Sequence, residues 1–206
     1  MKPVIALTKG RVEKQFLAYL EERGIDSTPL VEKGRKLSVE TDEAIYFFAK
    51  GVDVTTYVQH GIADLGIVGE DIIAEFQPDV FNLFPLPFGA CKMAVAAEKG
   101  KVWPDRKKRI ASKYTNITKQ YYLEKGESVD IIKLEGSVEL APLLGLADAI
   151  VDIVETGTTL KENGLEVIED IQHFTARVIA NRSSLKMKRN ILQPYLSVLQ
   201  EEVAQS

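Results

Sequence analysis

Apolar runs of strand length alternate with longer stretches of helical period along most of the chain. PVIAL, residues 3–7, predicts a strand. In RVEKQFLAYLEERG, Val12, Phe16, Leu17 and Leu20 share one helical face and Gly24 supplies a stop. KLSVE and IYFFA predict strands, and VTTYVQH a short helix capped by Asp53 and ended by Gly61. ADLGIVG predicts a buried strand, with DIIAEF a helical turn or two after it. FNLFPLPFG and KMAVAAE read as extended, the first broken by Pro85 and Pro87.

From Lys108 the order restarts. RIASK predicts a strand, NITKQYYLEKG a helix, VDIIKLE a strand, SVELAPLLGLA a helix, DAIVDIVE a strand and TLKENG a short helix start. EVIEDIQHF and ARVIAN predict strands. SLKMKRNILQPYLSVLQEEVAQS predicts a final helix bent or interrupted at Pro194. This alternation predicts an α/β fold with mainly parallel sheets. Two echoes suggest two similarly built halves: IALTKG…EKQFLAYLEERG beside RIASKY…TKQYYLEKG, and HGIADLGIVGED beside LGLADAIVDIVETG. Internal duplication or the ordinary recurrence of α/β units accounts for them, and the lack of a fixed period weighs against duplication. Two such lobes leave a cleft, and ligands favour the carboxyl ends of parallel strands.

Composition narrows the classes. At 206 residues the chain holds one large or two small domains, and 45% apolar content supports a core. A formal charge of −4 argues against a general affinity for nucleic acid or anionic membrane, so an anionic ligand needs local Lys and Arg. The single cysteine, Cys91, permits no internal disulfide and fits a reducing compartment. MKPVIALTKGR offers neither a signal peptide nor a span, which makes the cytoplasm the expectation. Two histidines and one cysteine are too few for a structural zinc site.

The stretch VDIVETGTTLKENGL, residues 151–165, carries the chemistry. A buried strand runs into Glu155, Thr156, Gly157, Thr158 and Thr159, and a helix starts at Leu160. A strand–turn–helix junction aims backbone N–H groups outward, Gly157 lacks a blocking Cβ, and the threonines add hydroxyl donors. This is a phosphate cradle, or else an ordinary turn with an N-cap threonine. Asp152 sits inside an apolar strand, costly for a carboxylate without a partner or ligand. With Glu155 it supplies acceptors suited to ribose hydroxyls, so the loop reads as a ribose-5-phosphate site. Lys9 and Arg11 follow the first strand, Arg35 precedes a strand and Lys50 ends one. Each alone also reads as a solvated surface charge. Glu139 is a first-turn acid favoured by the helix dipole, or a group near the substrates. The run RKKR, 106–109, reads as the edge of an inter-lobe hinge, Cys91 as a packed small residue, and His60 and His173 as structural.

The same stretch resembles the 5-phosphoribosyl-1-pyrophosphate (PRPP) loop of the ATP phosphoribosyltransferase family, the first enzymes of histidine biosynthesis. LTKGR resembles the family's P-K-G-R turn. GRKL (34–37), YVQHGIADLGIVGED (57–71), FGACKMAVA (88–96) and LEGSVELAPLLGLADAIVDIVETG (134–157) match in order, from about Val4 to Asn181. The resemblance implies a short-form catalytic subunit in a hetero-oligomer with a regulatory subunit similar to histidyl-tRNA synthetase. It implies α/β architecture in two lobes of type II periplasmic-binding-protein-like fold with a cleft between them: lobe I from 1–90 completed by 176–206, lobe II from 91–175. It also implies condensation of ATP with PRPP, with Mg2+ held mainly by the substrate's pyrophosphate. Lys9, Arg35 and Lys50 take the catalytic positions, and Arg11, Asp152, Glu155, Thr156, Gly157, Thr158, Thr159 and Leu160 bind PRPP, with Glu139 nearby. Lys50 departs from the family pattern A-R-P-x-D-[VI]-P, since AKGVDVT puts lysine where a guanidinium is expected. The rival readings are a non-catalytic two-lobe binding or sensor module, and a phosphoribosyltransferase acting on another base.

Overall fold

The structure, a computed structural model, describes residues 1–200. The chain divides into two compact units: Met1–Gly89 with the chain from Thr175 onward, and Ala90–Phe174. In chain order the first unit contributes β1 (Val4–Thr8), α1 (Arg11–Glu21), α2 (Thr28–Val31), β2 (Ser38–Glu40), β3 (Ile45–Ala49), α3 (Gly51–Gln59), β4 (Leu65–Gly69), α4 (Glu70–Phe76) and β5 (Phe81–Pro85). The second unit holds β6 (Cys91–Glu98), β7 (Lys108–Ser112), α5 (Thr115–Glu124), β8 (Val129–Lys133), α6 (Leu140–Leu143), β9 (Ala149–Val154), α7 (Thr158–Glu162) and β10 (Leu165–Phe174). The chain then returns to the first unit for β11 (Ala176–Ala180), α8 (Arg182–Met187) and α9 (Arg189–Gln200).

Both sheets are mixed, where the alternation predicts mainly parallel ones. The first runs β2-β3-β1-β4-β11-β5 and the second β10-β6-β9-β7-β8. Each centres on a parallel triplet, β3-β1-β4 or β8-β7-β9. Each triplet continues on one side into two strands in antiparallel pairing: β11 or β6 runs against the triplet, and β5 or β10 at the edge runs with it again. The two units therefore share one plan, with β2 an added edge in the first.

The plan is pinned by a repeated device. Asp64 and Asp148, both buried, precede the third parallel strand. Asp64 accepts from the Val4 N–H (3.0 Å), and Asp148 accepts from the Arg109 N–H (2.8 Å). Each side chain thus ties the start of its strand to the strand beside it. Asp64 also takes Ser184 Oγ (2.6 Å) and Lys188 Nζ (2.8 Å), and Asp148 takes both terminal nitrogens of Arg106 (2.8 Å each).

The first core packs Ile5, Leu7, Phe16, Leu20, Tyr46 and Ile67 against Leu192, Leu196 and Leu199 of α9. On the other face Ala6, Val54, Val58 and Ile179 pack together. Gly66 is required there, because a Cβ would stand 2.8 Å from Val58 and 2.9 Å from Ile179. The second core gathers Ala94, Ala111, Val138, Ile150, Leu160 and Leu165.

Four expectations change. Lys50, not Asp53, is the N-cap of α3; Asp53 lies in its first turn, where the dipole favours an acid. The helix expected over SVELAPLLGLA shrinks to the four residues of α6. Gly145, at φ 72°, turns the chain away just beyond it. The C-terminal helix breaks at Lys188 rather than Pro194, which lies inside α9. Lys188 leaves helical geometry where its ammonium reaches Asp64, while Pro194 frees only the carbonyl of exposed Asn190. Residues 201–206 of the predicted helix lie outside the described residues. Finally, RKKR lies inside the second unit, whereas the chain crosses between units at 89–90 and 174–175. Arg106 pairs with Asp148, Lys107 with Asp130 and Lys108 with Glu127, and Arg109 donates to the Gly145 carbonyl.

Candidate functional site

In the order β8-β7-β9 the chain leaves β7 towards β8 and later returns on the opposite side, so the carboxyl ends of β7 and β9 flank a topological switch point. The threonine loop emerges there. Gly157 adopts φ 74°, a left-handed conformation that turns the chain from β9 into α7. The Thr156 and Thr158 hydroxyls lie 3.0 Å apart, and the Thr158 N–H reaches Thr156 Oγ1 at 3.4 Å. Lys161 is the first N–H of the turn to reach the Gly157 carbonyl (3.0 Å), which leaves the preceding N–H groups without intrahelical acceptors. Thr156, Thr158 and Thr159 are exposed, while Leu160 is buried among Val154 and Leu165. The Leu160 side chain therefore anchors α7, which leaves only its backbone for a ligand to reach. Thr156, Gly157 and Thr158, with Lys161 and Glu162, line a depression of about 550 Å³.

Asp152 stands two residues before the end of β9, opposite Ala94 of β6. It is half-buried, and its pKa is raised to about 6. Burial is the main cause and the Glu139 carboxylate adds to it; the Ile153 N–H and the Lys113 ammonium work against it. Glu139, the residue that caps α6, thus acts on the same strand ends as Asp152. Glu155 is exposed at the strand end. Two further cations carry no signal in the linear order. Lys161 lines the depression, and Lys113 follows β7 directly. Nothing in the residue pattern ties Lys113 to Asp152, because only the β7–β9 pairing makes them neighbours.

The first unit gathers the other predicted cations at its own strand ends. Lys9 follows β1, and its N–H donates to the Ala49 carbonyl at the end of β3 (2.9 Å), which sets it beside Lys50. Arg11 opens α1. Arg35 lies in the loop before β2, and that loop is tied down at Lys33. Lys33 pairs with Glu13, and its ammonium lies 4.1 Å from the Phe48 ring centroid. Glu13 also accepts from the Gly10 N–H (3.2 Å). One carboxylate therefore links the turn carrying Lys9 and Arg11 to the loop carrying Arg35. Lys9, Arg11, Arg35 and Lys50 are all exposed. Cys91 is half-buried on β6, and His60 and His173, expected to be structural, are exposed. No helix among the described residues is long and apolar enough to cross a membrane.

Comparison with known proteins adds a second line. A family model described as HisG, ATP phosphoribosyltransferase, matches residues 50–201. The chain is 52% identical to an ATP phosphoribosyltransferase of Bacillus cytotoxicus over 191 residues, 90% of each protein. It is 50% identical to one from Bacillus cereus over 204 residues, 97% of this chain and 96% of the relative. Among solved structures it is similar to the ATP phosphoribosyl transferase (HisG:HisZ) complex from Thermotoga maritima, with TM-score 0.82, 38% identity and 98% of each chain covered. The periplasmic aliphatic sulphonate binding protein SsuA from Escherichia coli shares the fold alone. Its TM-score is 0.63 at 15% identity, over 96% of this chain and 71% of that one.

Proposed function

The chain belongs to the ATP phosphoribosyltransferase family, and from that premise we propose that it condenses ATP with PRPP to give N1-(5-phosphoribosyl)-ATP and pyrophosphate. Adenine N1 attacks the anomeric carbon, the C1–O bond to pyrophosphate breaks, and the configuration inverts. N1 already carries a lone pair, so no base is needed to create the nucleophile. The work lies in alignment and in stabilising charge on the departing pyrophosphate. The threonine hydroxyls and the free N–H groups of the Thr156–Leu160 loop hold the 5-phosphate. Asp152, as carboxylate, accepts from the ribose hydroxyls, with Glu155 and Glu139 beside it. In the first unit, Lys9, Arg11, Arg35 and Lys50 are the cations for phosphoryl oxygens, and the Glu13–Lys33 pair fixes where three of them stand.

Mg2+, as counter-ion of the donor, supplies charge neutralisation on the pyrophosphate. The residues present fit a substrate-held ion: Asp152 and Glu139, close enough for one carboxylate to act on the other, would accept hydrogen bonds from its hydration shell. Among the described residues no group of three or more His, Cys, Asp or Glu is gathered to grip a metal. The subunit works in the cytoplasm, with a histidyl-tRNA-synthetase-like regulatory subunit completing a hetero-oligomer. The similar Thermotoga maritima structure, a HisG:HisZ complex, supports that partner.

The left-handed Gly157 turn with its exposed threonines, set beside half-buried Asp152, carries this reading. The protein is mixed with PRPP, Mg2+ and one nucleotide or base at a time, with and without the partner. Pyrophosphate and a mass-shifted ATP adduct are expected. No ATP adduct even with the partner contradicts the reading, and an adduct with another base favours the rival transferase.

A further inference from the structure

Lys113 is the first residue beyond β7. Ser112 lies opposite Val151 of β9, which places Lys113 alongside Asp152 at the switch point. Its backbone neighbourhood is fixed from both sides. The Ser112 hydroxyl donates to the Val151 carbonyl (2.6 Å) and accepts from the Tyr114 N–H (2.8 Å), while the Ser112 carbonyl accepts from the Leu134 N–H (3.1 Å). The first unit has a related bond one register step away: Thr8, at the end of β1, donates to the Ile67 carbonyl of β4 (2.8 Å), and Lys9 follows it. Counted from Val4 and Arg109, which donate to the paired aspartates, Lys113 falls at the position of Thr8, so a cation at this register is particular to the second unit.

Lys113 is half-buried, and among the described residues its ammonium makes no ion pair within 4 Å. The Tyr114 ring centroid stands 5.9 Å away, at the outer reach of a cation–π contact. The field of Lys113 acts on Asp152 and on Glu135, and Glu135 is already paired with Lys133 (3.0 Å). A half-buried ammonium without a carboxylate in contact is costly to keep. The strand ends around it carry Glu135, Glu139, Asp152 and Glu155, a poor reception for a polyanion.

We propose that Lys113 is a donor-binding residue: its ammonium at the β7/β9 switch point contacts a phosphoryl oxygen of PRPP and offsets the carboxylates lining the same strand ends. The assignment rests on the reading of the second unit as the PRPP site. It gives that site a cation on the neighbouring strand, opposite the threonine loop. Lysine suits the place, since a compact ammonium serves both a carboxylate and a phosphoryl oxygen without demanding fork geometry.

The test is binding of PRPP with Mg2+ by titration calorimetry, with K113M, K113R and T159A beside the unaltered chain and thermal melting as the fold control. K113M is expected to weaken PRPP binding about ten- to a hundredfold. K113R should stay within about threefold of the unaltered chain, with ATP binding and melting unchanged. A purely structural lysine would not produce a further result expected in K113M: the pH at which PRPP binding fails on acidification moves upward. The charged groups acting on Asp152 are Glu139 and Lys113, and the substitution leaves only the one that raises its pKa. If K113M fails to fold, K113Q is read in the same way. Normal PRPP binding by the substituted protein with an unmoved acid limb overturns the proposal while T159A still loses binding. Normal binding by T159A, or none by the unaltered chain, overturns the loop reading and this inference together.

Discussion

Asp152 stands out in the sequence itself, because a carboxylate in VDIV has no cheap explanation. Its physical state follows from packing. With a pKa of about 6 against an ordinary 3.8, the folded chain takes up a proton at Asp152 at a pH where the unfolded chain does not. Stability therefore falls as pH rises from about 4 to about 6 and stays lower above. Asp152→Asn is expected to raise the melting temperature at pH 8 by roughly 2–4 °C and to change nothing near pH 4, as scanning calorimetry would show. The same substitution should raise the Michaelis constant for PRPP about tenfold or more, since the amide loses a charged acceptor. An unchanged constant contradicts the ribose role. At Lys50 the expectation runs the other way. Lys50→Arg restores a fork-shaped donor, and steady-state assays should show a several-fold gain in kcat/KM, up to about tenfold. A loss would show that the site is shaped around lysine. Lys113 is not legible in the same way, because its significance depends on which strand lies beside it, a fact carried by pairing register and not by local pattern.

The elements are legible where one local signal dominates. Apolar runs bounded by Gly and charged residues mark the central strands, and ETGTT marks the bend between β9 and α7. Thr159→Ala should raise the Michaelis constant for PRPP about tenfold with melting unchanged, because it removes one donor from an exposed loop. Outcomes decided at a distance leave no such mark. SVELAPLLGLA has helical spacing, yet Ser137 at φ 48° and Gly145 confine the helix to one turn. The C-terminal break follows Lys188 towards Asp64, far away in sequence, and overrides the prolyl signal at Pro194. The paired aspartates give an element-scale prediction. Burial works to raise the Asp148 pKa, but the Arg106 bonds and the Arg109 N–H outweigh it and hold the carboxyl below its ordinary range. Stability from Asp148 is therefore present above about pH 4 and lost as pH falls further, the opposite sign to Asp152. Asp148→Ala should destabilise the second unit by about 1–2 kcal/mol in urea titration near neutral pH, since it leaves the Arg109 N–H without its acceptor and frees the start of β9.

For the whole molecule, the sequence echoes LTKG/ASKY and ADLGIVG/ADAIVDIV correspond to one strand plan used twice, β3-β1-β4 and β8-β7-β9. The antiparallel partners β11 and β6 stay hidden because buried strands read alike whichever way they run. Duplication with divergence would account for the loadings: the first plan carries exposed cations at its strand ends, and the second carries hydroxyls, acids and Lys113. Light scattering of the chain mixed with the proposed histidyl-tRNA-synthetase-like subunit is expected to show a hetero-oligomer, with turnover rising on mixing; two unmixed species of unchanged mass would contradict that assembly. A crystal structure with PRPP and Mg2+ bound would show directly whether the threonine turn holds the 5-phosphate. The expected result is the 5-phosphate within about 3 Å of the Thr158 and Thr159 N–H and hydroxyl groups, with the ribose hydroxyls on Asp152. A well-ordered PRPP whose 5-phosphate lies away from the Thr156–Leu160 turn contradicts the account.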